Sequence, residues 1–321
     1  MSDSSDKPNL SDRVAMPART RVAVGGAREV TEAMFSSVDR AKKIRGTIIA
    51  GVLLLGLSVA LIAVTAMVVW AFIAGWSRLS INLFTNVPSV VNPDNAGYRT
   101  AILGTLYIIG GVIVLIVPLG VGAAIYLEQF ANPANRFNRF IDLNIQNLAG
   151  VPSIVFGILG LAFIVRGPLD LGFVAAAGSL TLALLVLPTV ILASREALRA
   201  VPSSIRDGSL ALGATVWQAV SRQVLPAALP GILTGVILAV SRAIGEAAPL
   251  LLVGAVTFVT FNPSFFEGGY STLPTMIYSY ASRPQESLQT LAAAGVVVML
   301  VLLIMINSVA IYLRNRFERT W

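Results

Sequence analysis

The sequence predicts an all-α membrane protein with six transmembrane helices. Its mean hydropathy is +0.80, and only 12% of its 321 residues are charged, against about a quarter in soluble domains. The apolar residues lie in six long runs, each sufficient to cross about 30 Å of hydrocarbon as a helix. The ten-residue alternating segments of a transmembrane β-barrel do not occur. These observations favour six membrane-spanning helices.

The predicted spans lie near residues 47–73, 101–127, 143–165, 172–194, 231–254 and 288–313. Of these six predicted spans, only the fifth, 231–254, contains charged residues. Pro152 lies inside the third span and predicts a kink or a broken helix, because proline removes a backbone donor and frees carbonyl groups. The short turn at 166–170 predicts that the third and fourth spans are antiparallel neighbours. The aromatic loop at 255–286 favours an interfacial or re-entrant segment.

The distribution of basic residues predicts the orientation. With the N-terminus inside, eighteen Lys and Arg residues lie in the N-terminal tail, the two internal connections and the C-terminus, and four lie on the opposite side. By the positive-inside rule, both termini are cytoplasmic. The sequence pI of 10.1 then reflects this orientation and contact with anionic lipid. Because the charge is spread over several loops, nucleic-acid binding is not indicated.

Residues 1–45 form a predicted cytoplasmic tail. Its first 28 residues lack periodicity and predict disorder, whereas 27–43 favour a short surface helix, with continued tail as the alternative. The polar tail predicts no cleavable signal peptide. Because the chain has no Cys and no His, it lacks thiolate nucleophiles and the usual metal ligands and general base. We therefore expect no catalytic residues, no metal site and no enzymatic activity.

The connection between spans four and five, residues 195–230, is long for a simple turn. The segments SREALRAV (194–201) and DGSLALGATVWQAVSRQV (207–224) predict short amphipathic helices separated by Pro202 and Gly213. The alternative is an ordinary pair of helices lying on the bilayer surface.

The spacing from Asp207 through Gly213 to Pro226 resembles the coupling loop of ABC-importer permeases. That pattern is Glu-Ala-Ala, three residues, Gly, nine residues, Ile, one residue, Leu-Pro. Here Asp207-Gly208-Ser209 stands for Glu-Ala-Ala, and Gln223 stands for Ile. Four segments together resemble the Pst phosphate-importer permeases, with an ending closer to the A subunit: AGVPSIVFG (149–157), SREALRAVP (194–202), LPAALPGILTG (225–235) and SRAIGEAAPLL (241–251).

This resemblance implies a type I ABC-importer permease domain over 46–315 that moves inorganic phosphate across the bacterial cytoplasmic membrane. It implies an ATPase dimer, a second homologous permease and an extracytoplasmic phosphate-binding protein as partners. The implied ATPase-coupling residues are Asp207, Ala211, Leu212, Gly213 and Pro226. No G-x-x-x-x-G-K-[ST] phosphate loop occurs, so ATP is expected in the partner subunit, and no cofactor is expected in this chain.

Arg242 and Glu246 are the main candidates for the substrate pathway, with Ser153 and Asn147 as weaker ones. Ionised side chains at bilayer depth usually face a partner or a watery pathway, and guanidinium matches phosphate oxygens. The alternative is an ion pair that only fixes helix packing. A permease for another anion or polar solute, or a gradient-driven secondary transporter, is the alternative function; internal repeats would favour the latter, and none are evident.

Overall fold

The computed structural model describes residues 40–132, 134–255 and 259–317. These residues are mostly helical, and their only β pairing is an isolated bridge between Ala255 and Tyr270. The chain divides into two compact units, residues 1–67 and 68–321. The predicted all-α class is confirmed.

The principal helices of the described residues, in chain order, are α1 (Arg40–Gly75), α2 (Arg99–Ile125), α3 (Arg136–Ala149), α4 (Ser153–Leu159), α5 (Ala175–Arg199), α6 (Ser203–Ala211), α7 (Leu225–Gly245), α8 (Ala248–Leu252), α9 (Leu273–Ala281) and α10 (Glu286–Phe317). Helical turns extend α2 (Tyr126–Phe130) and α4 (Gly160–Val165) and lead into α7 (Val216–Ala219, Val220–Val224). Three more lie between α1 and α2, at Trp76–Arg78, Asn82–Thr85 and Pro93–Asn95.

Five helices in the described part of the chain are long and apolar enough to cross a membrane: Ile44–Arg78, Arg99–Phe130, Ala175–Arg199, Val216–Gly245 and Glu286–Arg316. A sixth span exists if α3 and the α4 segment, bent by 109° at their junction, are counted together. The structure therefore agrees with six spans only when one of them is a broken helix.

The described residues of the first unit begin at Arg40 and form the first part of α1. Its side chains from Ile44 to Met67 are exposed and almost entirely apolar. A helix that is apolar on all sides suits a lipid or protein environment. Of the predicted surface helix at 27–43, residues 27–39 lie outside the described residues, and 40–43 belong to α1.

The second unit has its main apolar core among α2, α4, α5 and α7. Val112 and Ile116 of α2 and Leu182 and Val186 of α5 are fully buried there. The hydroxyl of Ser179 donates to the carbonyl oxygen of Ile108 at 3.2 Å and joins the same two helices. These contacts make α2 and α5 the centre of the unit.

The loop before α10 folds back into the unit through α9. The Leu273 amide donates to Thr105 Oγ1 of α2 at 3.0 Å, and the rings of Tyr98 and Tyr280 pack edge to face with centroids 5.8 Å apart. Burial raises the pKa of Tyr280 to about 12, so this phenol is neutral at physiological pH. This part of the predicted outer loop is thus a packed element.

The predicted third span, 143–165, is not one helix. Residues 143–149 belong to the amphipathic helix α3, and the apolar helix begins at Ser153. Pro152 lacks an amide hydrogen and disfavours helical geometry at Val151, so the chain turns through 109° here. The sequence predicted the location of the break but left its size open.

Two further boundaries differ from their predictions. The predicted fifth span, 231–254, begins as a continuous helix at Val216 and ends at Gly245, because Glu246 is extended (φ −80°, ψ 108°). The predicted loop 195–230 shrinks to residues 200–215 between the long helices. The segment SREALRAV contains no helix breaker before Pro202, so most of it simply continues α5.

Candidate functional site

Arg242 and Glu246 form an ion pair at the end of α7. Arg242 Nε lies 3.3 Å from Glu246 Oε1. The predicted pairing is therefore present, although Glu246 lies just beyond the helix instead of within it. Arg242 occupies the last turn of α7, where a cation interacts favourably with the negative end of the helix dipole.

The continuous helix of the fifth span ends where the pair lies. α7 ends at Gly245 and α8 begins at Ala248, so Glu246 and Ala247 lie between the two helices. Irregular backbone at membrane depth is tolerated only where it is buried in protein or lines a water-filled cavity. A break of this kind inside the bilayer would have to face protein or water and not lipid.

The exposure of the two side chains supports the same conclusion. The Arg242 side chain is 44% exposed on this chain and that of Glu246 is 20% exposed. Contact between a guanidinium group and lipid tails at the bilayer centre costs about 2.5–3.5 kcal/mol on insertion scales. A half-exposed arginine in a span is thus best accommodated against water, an anion or a second protein subunit.

Two contacts fix the elements around the ion pair. α8 packs on α4 at Gly157, where an added Cβ would lie 2.7 Å from the Cα of Pro249. Next to Arg242 in the sequence, the hydroxyl of Ser241 donates to Asn307 Oδ1 of α10 at 2.8 Å. The helices on either side of the pair in the sequence are therefore each held by a contact with another helix, α8 by close packing on α4 and α7 by a hydrogen bond to α10.

The weaker candidates lie elsewhere on the bent segment. Asn147 is exposed near the end of α3, and Ser153 is half-buried at the first position of α4. Among the described residues, neither makes a hydrogen bond to Arg242 or Glu246. Their role in the pathway stays a prediction.

The predicted coupling residues lie around a structured turn after α6. Gly213 has φ +87°, a conformation that favours glycine. Its amide donates to the Leu210 carbonyl at 2.9 Å, and the Ala214 amide donates to the Ser209 carbonyl at 3.1 Å. This is the hydrogen-bond pattern of a Schellman helix ending, and it gives the turn a defined geometry.

A capping box starts the next helix immediately after this turn. The Gln218 amide donates to Thr215 Oγ1 at 3.3 Å, and the Thr215 amide donates to Gln218 Oε1 at 2.9 Å. The spacing T-x-x-Q is a readable signal of a helix start, and it was missed in the sequence. Residues 200–215, which we call the coupling segment after their predicted role, therefore contain one short helix between two long ones, instead of two independent helices.

The surface of this segment is largely exposed and is flanked by grooves. Asp207 and Ala211 are exposed, Leu212 is 91% exposed, and Pro226 is half-buried in the following helix. Two grooves of about 260 Å³ each flank the segment. Ile205 lines the first, and Leu212 and Arg222 line the second. An exposed apolar side chain at the edge of a groove is a feature that a partner protein can bind.

Asn307 is a further residue that the sequence reasoning missed. It is an amide deep inside the last apolar run, and polar side chains in spans often form contacts between helices. That signal indicated a contact but not its partner. Within the part of the chain that the structure describes, no cluster of three or more His, Cys, Asp or Glu could hold a metal ion.

Comparison with known proteins gives consistent matches. Residues 116–319 match the family model of the binding-protein-dependent transport system inner membrane component. The chain is 34% identical to the phosphate transport system permease protein PstA 1 of Mycobacterium tuberculosis, covering 68% of this chain and 72% of that protein. It is 31% identical to the probable ABC transporter permease protein YqgI of Bacillus subtilis, covering 73% and 78%.

Solved structures share the fold at low sequence identity. The MetNI methionine ABC transporter in an inward-facing conformation matches with a TM-score of 0.53 and 19% identity, covering 67% of this chain and 92% of that chain. A bacterial alginate ABC transporter, in complex with a periplasmic protein bound to an alginate pentasaccharide, matches with a TM-score of 0.62 and 12% identity, covering 88% and 99%.

Proposed function

Because the chain belongs to the family of binding-protein-dependent transport system inner membrane components, we propose that it is a transmembrane subunit of an ATP-driven importer of inorganic phosphate. Several relatives at 30–35% identity are phosphate transport system permease proteins. The proposal places the phosphate pathway at the ion pair and the ATPase contact at the segment around Gly213.

The observation that carries the proposal is the half-exposed Arg242 at the interrupted span. Phosphate needs a compensating charge to leave water at membrane depth. A guanidinium group remains charged there and offers forked donors to phosphate oxygens. Glu246 balances Arg242 when no anion is present, and phosphate displaces its carboxylate as the anion passes.

The exposed face of Arg242 implies that the pathway is completed outside this chain. A second permease of the same family would supply the opposite wall, since a charged surface in a span must meet protein or water instead of lipid. A phosphate-binding protein would deliver the anion to the side opposite the coupling segment. This arrangement gives Arg242 access to substrate from both sides of the membrane in turn.

Energy would enter through the coupling segment. The chain contains no phosphate loop for ATP, so nucleotide binds to a separate ATPase subunit. Leu212 is exposed at the edge of the second groove and would pack against that subunit, with Asp207 and Ala211 exposed in the same segment. Pro226 lies in the helix that continues to Arg242. Motion of the coupling segment would therefore act on the helix that carries Arg242.

The proposal is tested by measuring phosphate uptake at micromolar phosphate in cells that lack this chain. We expect uptake to be lost and to return when the chain is supplied, while sulfate uptake is unchanged. The restored chain should also co-purify with an ATPase in roughly stoichiometric amount. Loss of sulfate or molybdate uptake with normal phosphate uptake would assign the chain to another anion, and transport without an associated ATPase would indicate a gradient-driven carrier.

A further inference from the structure

Five charged side chains meet at the end of the second unit that also carries the coupling segment. They come from three separate elements and are Glu128, Asp142, Arg195, Glu196 and Arg199. We call them the charge cluster. Glu128 belongs to the turn that extends α2, Asp142 to α3, and the other three to the last turns of α5.

Arg195 is the centre of the charge cluster. Its side chain is only 10% exposed. Its Nε donates to Glu128 Oε2 at 3.3 Å, and its Nη1 donates to Asp142 Oδ1. One guanidinium group therefore connects α5 to both α2 and α3.

Arg199 completes the arrangement one turn further along α5. Its Nε donates to Glu128 Oε1 at 2.8 Å, and its Nη1 donates to Glu196 Oε1 at 3.2 Å. Both oxygens of Glu128 thus accept from arginines of the same helix. The Glu196 side chain is 73% exposed, so its contact with Arg199 is screened by solvent and contributes little.

Stability alone is a weak reason for this arrangement. Removing two charges from water costs about as much as their attraction returns, and apolar replacements of buried ion pairs are often neutral or stabilising. What the ion pairs do supply is a directional link, since hydrogen-bonded charges hold one relative position of two helices where apolar contacts tolerate sliding. The function of these ion pairs is therefore best inferred from which helices they link.

The linked helices connect the coupling segment to the ion pair at Arg242. α5 leads directly to α6, and Asp142 anchors α3, which ends at the 109° break before α4. α4 in turn packs through Gly157 on Pro249 of α8, three residues beyond Glu246. Displacement of α6 would reach this break through Arg195 and Asp142.

We propose that Arg195 is a positioning residue that makes α3 move with α5 when the ATPase displaces the coupling segment. The proposal rests on the proposed function, since it describes how ATP-driven motion reaches the pathway. Its prediction differs from that of a merely structural ion pair. Loss of the link should separate ATP hydrolysis from transport, whereas a structural defect should lower both together.

The first test uses the purified complex in vesicles and measures ATP hydrolysed per phosphate imported. Asp142→Asn removes the charge from the α3 side of the link and leaves Arg195 paired with Glu128. We expect the ratio to rise about fivefold, within the range found for residues that modulate coupling, and Asp142→Glu to restore most of it. Glu196→Gln is the matched control, because it alters only the exposed pair and should leave the ratio unchanged.

An unchanged ratio in Asp142→Asn, a parallel fall of hydrolysis and uptake, or an equal rise in Glu196→Gln would each overturn the proposal.

A second measurement needs no change in the charge cluster. The chain has no Cys, so spin labels at Phe140→Cys in α3 and Ala200→Cys after α5 are the chain's only thiol-attached groups.

The label-to-label distance should change by less than about 2 Å, the scale of small helix shifts, between the nucleotide-free and ATP-bound complex. A larger change means that α3 and α5 do not move together and rejects the role of Arg195. This distance does not depend on which anion is transported. A complex that imports sulfate instead of phosphate would contradict the proposed function while the distance still decides the inference.

Discussion

At the scale of single residues, the position of Arg242 combines features that the sequence predicted with one that it did not. The i,i+4 spacing predicted contact with Glu246, and the side chains do pair at 3.3 Å. The sequence did not predict that the helix ends between them. Gly245 and Pro249 flank the interruption, and both disfavour a continuous helix, but similar residues occur inside intact helices such as Pro188 in α5.

Gly213 supports a prediction at the same scale. Its φ of +87° is unfavourable for a β-branched residue, although no atom lies within 4 Å of an added Cβ. We expect Gly213→Val to cost about 1–2 kcal/mol locally, to distort the coupling turn and to abolish uptake, while the protein still inserts in the membrane. The measurement is the amount of ATPase recovered with the purified variant.

Gly172 provides the control, because it has φ +72° and equally open surroundings in a turn between α4 and α5. Gly172→Val introduces a similar strain away from the coupling segment and should retain the ATPase. Normal ATPase recovery with Gly213→Val would remove this turn from the coupling mechanism.

At the scale of secondary-structure elements, apolar run length was the most reliable signal. It located the spans because a membrane-crossing helix must satisfy its own backbone and be apolar over about 20 residues. It could not locate the ends of helices that continue into water, such as the extension of α5 to Arg199 and the start at Val216. Local propensity governs those ends, and SREALRAV and QAVSRQV favour helix throughout.

Packing between α4 and α8 gives an element-scale prediction. At Gly157 an added Cβ would meet the backbone of Pro249 at 2.7 Å, so Gly157→Ala requires the two helices to separate. We expect a loss of about 1–3 kcal/mol in stability, seen as a lower unfolding temperature of the purified protein, together with reduced uptake.

The paired control for this change is Gly122→Ala. Gly122 lies in α2 with nothing within 4 Å of an added Cβ, and alanine favours helix over glycine by about 1 kcal/mol. This variant should be as stable as the parent or more so. Equal behaviour of the two variants would mean that the α4–α8 contact does not constrain the span.

At the scale of the whole molecule, the charge asymmetry and the packed elements make a prediction about orientation. The predicted outer segments 75–99 and 255–286 contain exposed sites such as Phe261 and Phe266, whereas α9 is largely buried. A protease that cleaves after aromatic residues, added to intact cells, should cut near these phenylalanines. Protection of residues 195–226 is expected, and cutting there from outside would contradict the six-span topology.

The ion pairs of the charge cluster could not be predicted from the sequence. Glu128 and Asp142 lie 67 and 53 residues before Arg195, and no periodicity relates residues so far apart. The sequence therefore placed Arg195 only among the basic residues of the predicted internal connections. Such pairings follow from how α2, α3 and α5 pack, which requires the three-dimensional structure.

The proposed function requires that Arg242 contacts the transported anion and does more than neutralise Glu246. Arg242→Gln alone leaves Glu246 unpaired, which can disturb assembly. The decisive variant combines Arg242→Gln with Glu246→Gln, because it removes both charges and keeps much of both side chains. Phosphate uptake by this double variant, normalised to the amount assembled with the ATPase, is the measurement.

We expect the double variant to assemble normally and to import phosphate at least about tenfold more slowly than the parent, since charge-assisted hydrogen bonds to the anion contribute about 1.5–3 kcal/mol. Uptake near that of the parent would show that the pair serves only helix packing, and it would remove Arg242 and Glu246 from the transport pathway.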